Sequence, residues 1–364
     1  MSSTRIAAAG GEFSPERGLS SPKVAGINIG LNIVIGVCRA HPEPIRRALI
    51  WLANYAHNVH RSTADSLAEK LGLPKASIRA ALTNPEFDDL DTVVRQIQKL
   101  RAEFEATIPN LVDTAVCREV GLAMSYALKK TKMVEIVGKT RIGKSDCARP
   151  WWLRNLDRCL WFECPEDDTE RGFFYELAAT LGIGVSSAKK TGLYRAQTKG
   201  CFGPEGITCL IVDEAHRLWP SDVHSKPKRV EFERAIYADG RGCSVVNIAT
   251  PQHSESLNMS LDNAGRWAPG QYEGRVSRFH LEDTMPAKDL AAVARYYAKG
   301  ATAEVIDALV EQALATEGYC GAMVETIDLA RELYGELNIE NVTKAQLRQR
   351  RHTRLEQPVK RARK

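Results

Sequence analysis

Two short stretches hold the residue types that chemistry on a phosphate chain needs. Gly138-Lys139-Thr140-Arg141-Ile142-Gly143-Lys144-Ser145 follows the apolar run Met133 to Val137 in the pattern G-x-x-x-x-G-K-S. Glycines at both ends let the backbone take conformations that a Cβ would block. Consecutive N–H groups, and the positive N-terminal end of the helix that follows, then surround a phosphate. Lys144 is expected to reach the β and γ oxygens, and the Ser145 hydroxyl to coordinate Mg²⁺. The second stretch, Cys209-Leu210-Ile211-Val212-Asp213-Glu214, is an apolar strand ending in two carboxylates. Parallel strands in a doubly wound sheet bring their carboxyl ends to one edge, where the glycine-rich loop also opens. Asp213 is expected to hold Mg²⁺ and Glu214 to polarise an attacking water, which makes ATP or GTP the expected nucleotide.

A third position belongs at the same edge. The β-branched run Cys243 to Ala249 closes on Thr250-Pro251, and its tip should lie between those of the other two strands. Thr250 is the first choice for a γ-phosphate contact there and Asn247 the second, against a plain turn-initiating Thr-Pro. Asp213-Glu214-Ala215-His216 also matches a helicase box. That reading is rejected because the chain is too short for two helicase lobes and lacks the arginine-rich run that would complete them.

The rest of the chain must position these groups. At 364 residues, 44% hydrophobic and 26% charged, it has the composition of a globular protein with more than one module. Nine cysteines without a C-x-x-C pair or zinc-ligand spacing read as reduced thiols in a cytoplasm. Val24 to Val37 is apolar but too short to span a bilayer, and is expected to be a strand or packed arm within a mostly disordered stretch, 1–40. Net charge is +5, concentrated in 344–364, where nine Lys and Arg face a single acid, Glu356. No membrane partner is expected.

Helical periodicity marks Ile45 to Tyr55 and Thr92 to Ala106. Between them, Ser62 to Leu82 reads as two short helices turning at Gly72, a helix-turn-helix pattern. It suits either DNA contact through Lys75, Ser77 and Arg79 or simple packing, and Asp88, Asp89 and Asp91 nearby weigh against DNA. Residues 41–110 are thus expected to form a helical domain with a linker helix, 111–284 the nucleotide-binding domain, 285–343 a helical lid and 344–364 a basic tail. Pro150, five residues past Ser145, should shorten or bend the loop's helix, with Trp151 and Trp152 packing there. Lys189, Lys190, Arg195 and Lys199, with Tyr194, form either a solvated face or a contact to a phosphate backbone.

In this order the elements resemble an AAA+ ATPase: a P-loop α/β parallel sheet with a C-terminal helical lid and an N-terminal helical domain. Within that class the chain resembles the MuB-like transposition ATPases, and more distantly the TnsC, TniB and IstB types. Ala249-Thr250-Pro251 looks like their sensor 1 element. Ser277-Arg278-Phe279 looks like the element that supplies an arginine finger to a neighbouring subunit, and Gly321-Ala322 like the start of the lid helix. Val324 stands where such proteins often carry a sensor 2 arginine. The resemblance implies an ATPase that assembles as a ring or helical filament on double-stranded DNA with little sequence preference and recruits a transposase. Arg278 would then complete a neighbour's site, and Lys189, Lys190, Arg195 and Lys199 would face the DNA. A nucleotide-switched helix-turn-helix regulator and a DNA-loading ATPase of replication or defence are the alternatives.

Overall fold

The computed structural model describes residues 29–355 apart from 61–62, 168, 187, 223–224, 239–241, 263–268 and 317–318. Its centre is a five-stranded, all-parallel sheet in the order β2-β3-β4-β1-β5. Parallel strands covered on both faces should be continuously apolar. β1 (Met133–Val137), β3 (Cys209–Asp213) and β4 (Ser244–Ala249) are buried along their whole lengths, with β2 (Cys159–Glu163) beside β3 and β5 (Val276–His280) at the far edge. Glu135, in the middle of β1, is the exception to the apolar rule. It is register partner to Asn247 on β4 and to Arg278 on β5.

Helices precede, cover and follow this sheet. Before it come α1 (Leu31–Cys38), α2 (Glu43–Asn54), α3 (Ala64–Leu71), α4 (Lys75–Thr83), α5 (Leu90–Thr107) and α6 (Ala115–Lys130). Woven between strands are α7 (Lys144–Leu153), α8 (Glu170–Thr180), α9 (Thr191–Gly200), α10 (Lys228–Ala238), α11 (Gln252–Asp262) and α12 (Pro269–Glu273). A four-helix end piece follows: α13 (Ala287–Tyr297), α14 (Ala303–Ala315), α15 (Tyr319–Tyr334) and α16 (Ile339–Leu355). None of the helices described is long and apolar enough to cross a membrane.

The N-terminal region departs from expectation. Leu31–Cys38 is a helix, not a strand, with Leu31, Val34, Ile35 and Cys38 buried, so the packed chain begins well before residue 40; residues 1–28 lie outside those described. β-branched composition favours a strand only where a sheet edge is at hand, and here the segment docks on helices instead. The Leu31 N–H donates to Leu181 O at the end of α8, and α1 packs against α2.

Nor does α2 belong with the helices around Gly72 alone. The Arg47 guanidinium, nearly buried, donates to Asp157 O (3.1 Å), Gly206 O (2.8 Å) and Pro204 O (2.8 Å). Asn54 Nδ2 donates to Leu156 O (2.8 Å) and Cys159 O (2.9 Å). Two polar side chains thus weld α2 to the loops beneath β2 and β3. Charge-assisted bonds of this kind contribute about 1.5–3 kcal/mol each, and orphaned buried carbonyls add a penalty. Arg47→Met is therefore expected to destabilise the protein by at least about 2 kcal/mol, read by chemical denaturation. An unchanged midpoint would show that apolar packing alone holds α2.

α3 and α4 turn at Gly72, with the Thr63 hydroxyl capping α3 by accepting from the Ser66 N–H (3.2 Å). Lys75 is paired with Asp65. Arg79 is exposed, and α5 packs across α2, α3 and α4. At the other end, α16 runs through the boundary placed at 343/344. Val342 and Ala345 are buried, and Gln349 meets Gln312 and Thr326 in the end piece. The first part of the basic segment is thus a packed helix; residues 356–364 lie outside those described.

Candidate nucleotide site

The carboxyl ends of β1, β3 and β4 bring the Gly138–Ser145 loop, Asp213, Glu214 and Thr250 to one edge. A Cβ at Gly138 would come within 2.8 Å of Ile142 Cδ1 and 3.1 Å of Leu281 Cβ, so a side chain there would have to push both aside. Gly143 has φ +90° and starts α7, a conformation that a side chain would strain. Arg141, at φ +64°, takes a left-handed conformation without being glycine, and Glu214 does the same at φ +54°. Such residues carry about 1–3 kcal/mol of strain each and gather at functional sites.

Lys144 is 8% exposed and donates through Nζ to Gly138 O and Lys139 O, both at 2.6 Å. Burial pulls its pKa down to about 8, opposed by the charges of Asp213 and Glu214. Its amine therefore lies folded against the loop within the field of both carboxylates. Ser145 Oγ donates to Asp213 Oδ1 (2.8 Å), which also accepts from the Glu214 N–H (3.0 Å). Burial raises Asp213 to about 6, and Asp146 beside it likewise to about 6. A cation at Asp213 would reverse that penalty.

The donor set fits Mg²⁺ bound with a nucleotide. Ser145 and Asp213 supply two hard oxygens already in contact, and among the described residues no cluster of three or more His, Cys, Asp or Glu could hold a metal unaided. That is the sparse protein shell Mg²⁺ takes when phosphates complete its coordination. Thr250, at the tip of β4, is 6% exposed and its Oγ1 has no protein partner, which leaves this hydroxyl available to a ligand. Asn247, the second choice, lies deeper, its amide donating to Glu233 Oε2 (2.9 Å) and Tyr272 OH (3.1 Å). Glu214 stands just past β3, half exposed, with His216 Nδ1 3.4 Å from its Oε2. Burial holds His216 below the usual imidazole range, which favours a neutral ring beside Glu214.

The P-loop helix α7 contains Pro150 at its seventh position and ends three residues later. Its short last turn is pinned from the side: Trp151 Nε1 donates to Ser125 Oγ (3.2 Å) and Trp152 Nε1 to Cys159 O (3.1 Å). The end piece touches the loop as well, since the Gly321 N–H approaches Arg141 O (3.4 Å) and Glu325 lies 3.8 Å from the Arg141 guanidinium. Val324, in the same helix, is buried and offers no polar contact. Lys139, Thr140 and Ile142 complete the loop; only Ile142 of these is buried.

Arg278 is not brought to this group. It lies mid-strand on β5, where Nε donates to Glu135 Oε2 (2.9 Å) and Nη1 is 3.5 Å from Glu273 Oε1. Glu135 is fully buried. Burial would raise its pKa, but the hydrogen bonds and charges of His253 and Arg278 hold it below the usual carboxylate range. Arg278 is thus the counterion of a buried carboxylate in its own subunit, bound through Nε and Nη1, while its Nη2 has no hydrogen-bond partner. Sequence reasoning missed this cluster. Its one signal was the charged residue inside the apolar run M-V-E-I-V; nothing local marks His253 or Tyr272.

The basic run is split between α9 and the turn before it. Lys190 is exposed. Lys189 Nζ donates to Gly184 O (2.7 Å), and Arg195 lies 3.5 Å from Glu170. Lys199 is half-buried near the end of the same helix. Tyr194 is fully buried with its hydroxyl donating to Ser186 O (2.7 Å), so it cannot stack on a base.

Residues 128–257, from the end of α6 through β4 to α11, match a family model of the AAA domain. No curated protein matches the chain in sequence. Among solved structures, the chain is similar in fold to Cdc6p of Pyrobaculum aerophilum: 15% identity, 65% of this chain and 68% of that one, TM-score 0.48. It is also similar to the RuvB Holliday junction branch migration motor of Thermotoga maritima, with 14% identity, 63% and 67% covered, TM-score 0.39. A Walker-type ATPase of Pyrococcus abyssi has 15% identity, 67% and 74% covered, TM-score 0.45. The chain therefore carries an AAA-type P-loop ATPase domain, with its helical regions before and after the sheet.

Proposed function

We propose that this ATPase binds double-stranded DNA in its ATP-bound form, assembles on it as a ring or filament, and recruits a transposase to the bound target. The observation that supports the nucleotide half is the convergence of Lys144, Ser145, Asp213, Glu214 and Thr250 at one sheet edge. In this reading the loop N–H groups and Lys144 hold the phosphates. Ser145 and Asp213 hold Mg²⁺, which when bound neutralises charge on the phosphate oxygens. Glu214 takes the proton of the attacking water, and the Thr250 hydroxyl orients what lies between them.

The DNA half rests on α9 and its preceding turn, where Lys189, Lys190, Arg195 and Lys199 lie within one short stretch. Each Lys or Arg on a phosphate steepens the salt dependence of binding by about 0.9 in the log–log slope. Lys190→Ala with Lys199→Ala is therefore expected to flatten the slope for arbitrary duplex by about 2 while leaving ATP turnover without DNA unchanged. A slope equal to wild type would remove α9 from the interface. Arbitrary duplex with ATP should also give assemblies in electron micrographs. Their absence would favour the second reading, a nucleotide-switched regulator. One observation supports that reading: Arg47, Asn54 and the Arg101–Asp157 pair (3.4 Å) tie the helices before the sheet rigidly to the ATPase. The exposed Arg79 on α4 would then read a specific site, and sequence-selective binding would distinguish it.

A further inference from the structure

Beneath the nucleotide edge lies a buried polar cluster that the proposed chemistry leaves unused. His253, on the first turn of α11 and three residues past Thr250, is 0% exposed. Its Nε2 is 3.0 Å from Glu135 Oε1, which also accepts from Tyr272 OH (3.0 Å). Its Nδ1 faces two groups at once: Ala215 O at 3.0 Å and the Trp219 indole N–H at 3.2 Å. These two residues bracket the single 3₁₀ turn, Ala215–Leu218, that follows Glu214. One imidazole nitrogen thus faces both ends of the Glu214-bearing turn.

Donor arithmetic makes this grip two-valued. Indole N–H only donates and a carbonyl only accepts, so Nδ1 can serve one of them at a time. With the proton on Nε2, given to Glu135, the Nδ1 lone pair accepts from Trp219. When both nitrogens carry protons, Nδ1 donates to Ala215 O. Either way the Nε2 proton goes to Glu135, whose other oxygen is fixed by Arg278. The Glu214 backbone, left-handed at φ +54°, ψ +38°, is a conformation that a non-glycine residue holds only where its surroundings restrain it.

We propose that His253 is a positioning residue for Glu214, holding the turn behind it through Ala215 or Trp219 while Glu135 and Arg278 fix the ring. This rests on the ATPase reading, with Glu214 as the base. The two ring nitrogens can be replaced one at a time. His253→Asn places an amide near Nδ1 and gives up the Glu135 bond; His253→Gln places it near Nε2 and gives up the turn.

His253→Gln is expected to lower kcat tenfold or more with ATP affinity within threefold of wild type. Amides of residues 214–219 should also exchange faster with deuterium. His253→Asn is expected to keep kcat within threefold and to leave that exchange unchanged. Equal losses of kcat in both variants, in step with their melting temperatures, would overturn the proposal, as would wild-type kcat in His253→Gln. Wild-type protein that turns over no ATP would instead sink the ATPase reading and this proposal with it, so the two failures are told apart in the same assay.

Discussion

Glu214→Gln is expected to reduce ATP turnover by about 10²-fold or more while ATP affinity stays within a few-fold, and Lys144→Ala to abolish measurable ATP binding. The contrast follows from where the two groups sit. Lys144 is nearly buried against Gly138 O and Lys139 O, inside the loop that would wrap the phosphates, and it is the cation nearest them. Removing it takes away charge that ground state and transition state both use, so binding goes first. Glu214 lies past β3, half exposed, and touches the loop only through the field it shares with Asp213. Glutamine keeps its size and hydrogen-bonding reach but cannot accept a proton from water, so chemistry goes and binding stays. Under the proposed function, DNA-bound assemblies of Glu214→Gln should also outlast those of wild type. Titration with a fluorescent ATP analogue and a phosphate-release assay separate the two effects. Near-normal phosphate release by Glu214→Gln would move the base to another carboxylate, with Asp146 the nearest candidate on α7.

The nucleotide site was legible because its information is local. Gly138 to Ser145 is eight consecutive residues, and Asp213-Glu214 ends a strand that its own apolar run announces. Thr250 needed one further inference, that β4 would lie beside β1 and β3, and the sheet order supplies it. The cluster behind the site was not legible for the opposite reason. Glu135 lies more than a hundred positions from both His253 and Arg278, and the three meet only because β1 pairs with β5 while α11 packs against the 3₁₀ turn that follows β3. Ser277-Arg278-Phe279 carries a second role that the tripeptide does not announce: its arginine answers a carboxylate on the neighbouring strand. The α1 segment was legible only in part. Its apolar run was expected to be a strand or packed arm; it packs, but as a helix, because it docks on α2 and the end of α8 and not on a sheet edge. Arg47 and Asn54 gave no hint of their partners, since each donates to backbone carbonyls, which every residue carries.

Arg278→Ala is expected to destabilise the subunit by about 3 kcal/mol, the low end for breaking a buried ion pair because the guanidinium is 27% exposed. The loss should appear in the isolated chain, without DNA or nucleotide. Glu135 would keep its bonds from His253 and Tyr272 but lose the cation that offsets its burial. The pH dependence has a definite sign. In wild type the Glu135 pKa is depressed, so the stabilisation it brings is present above the unfolded-state carboxylate pKa, about 4.3, and fades as pH falls through the lower folded value. Without Arg278, burial acts on Glu135 with less opposition and favours its neutral form. The stability gap between variant and wild type should therefore be widest at neutral pH and narrow on acidification. Pairing Arg278→Met with Glu135→Gln removes both charges, keeps an acceptor for His253 and Tyr272, and should recover most of the stability. A finger acting only on a neighbour's nucleotide would give another pattern: an unchanged melting temperature at every pH, with turnover lost only in assemblies. Denaturation of the three chains between pH 4 and pH 8 separates the two roles whatever the oligomer, because a counterion of Glu135 is needed by every subunit alone.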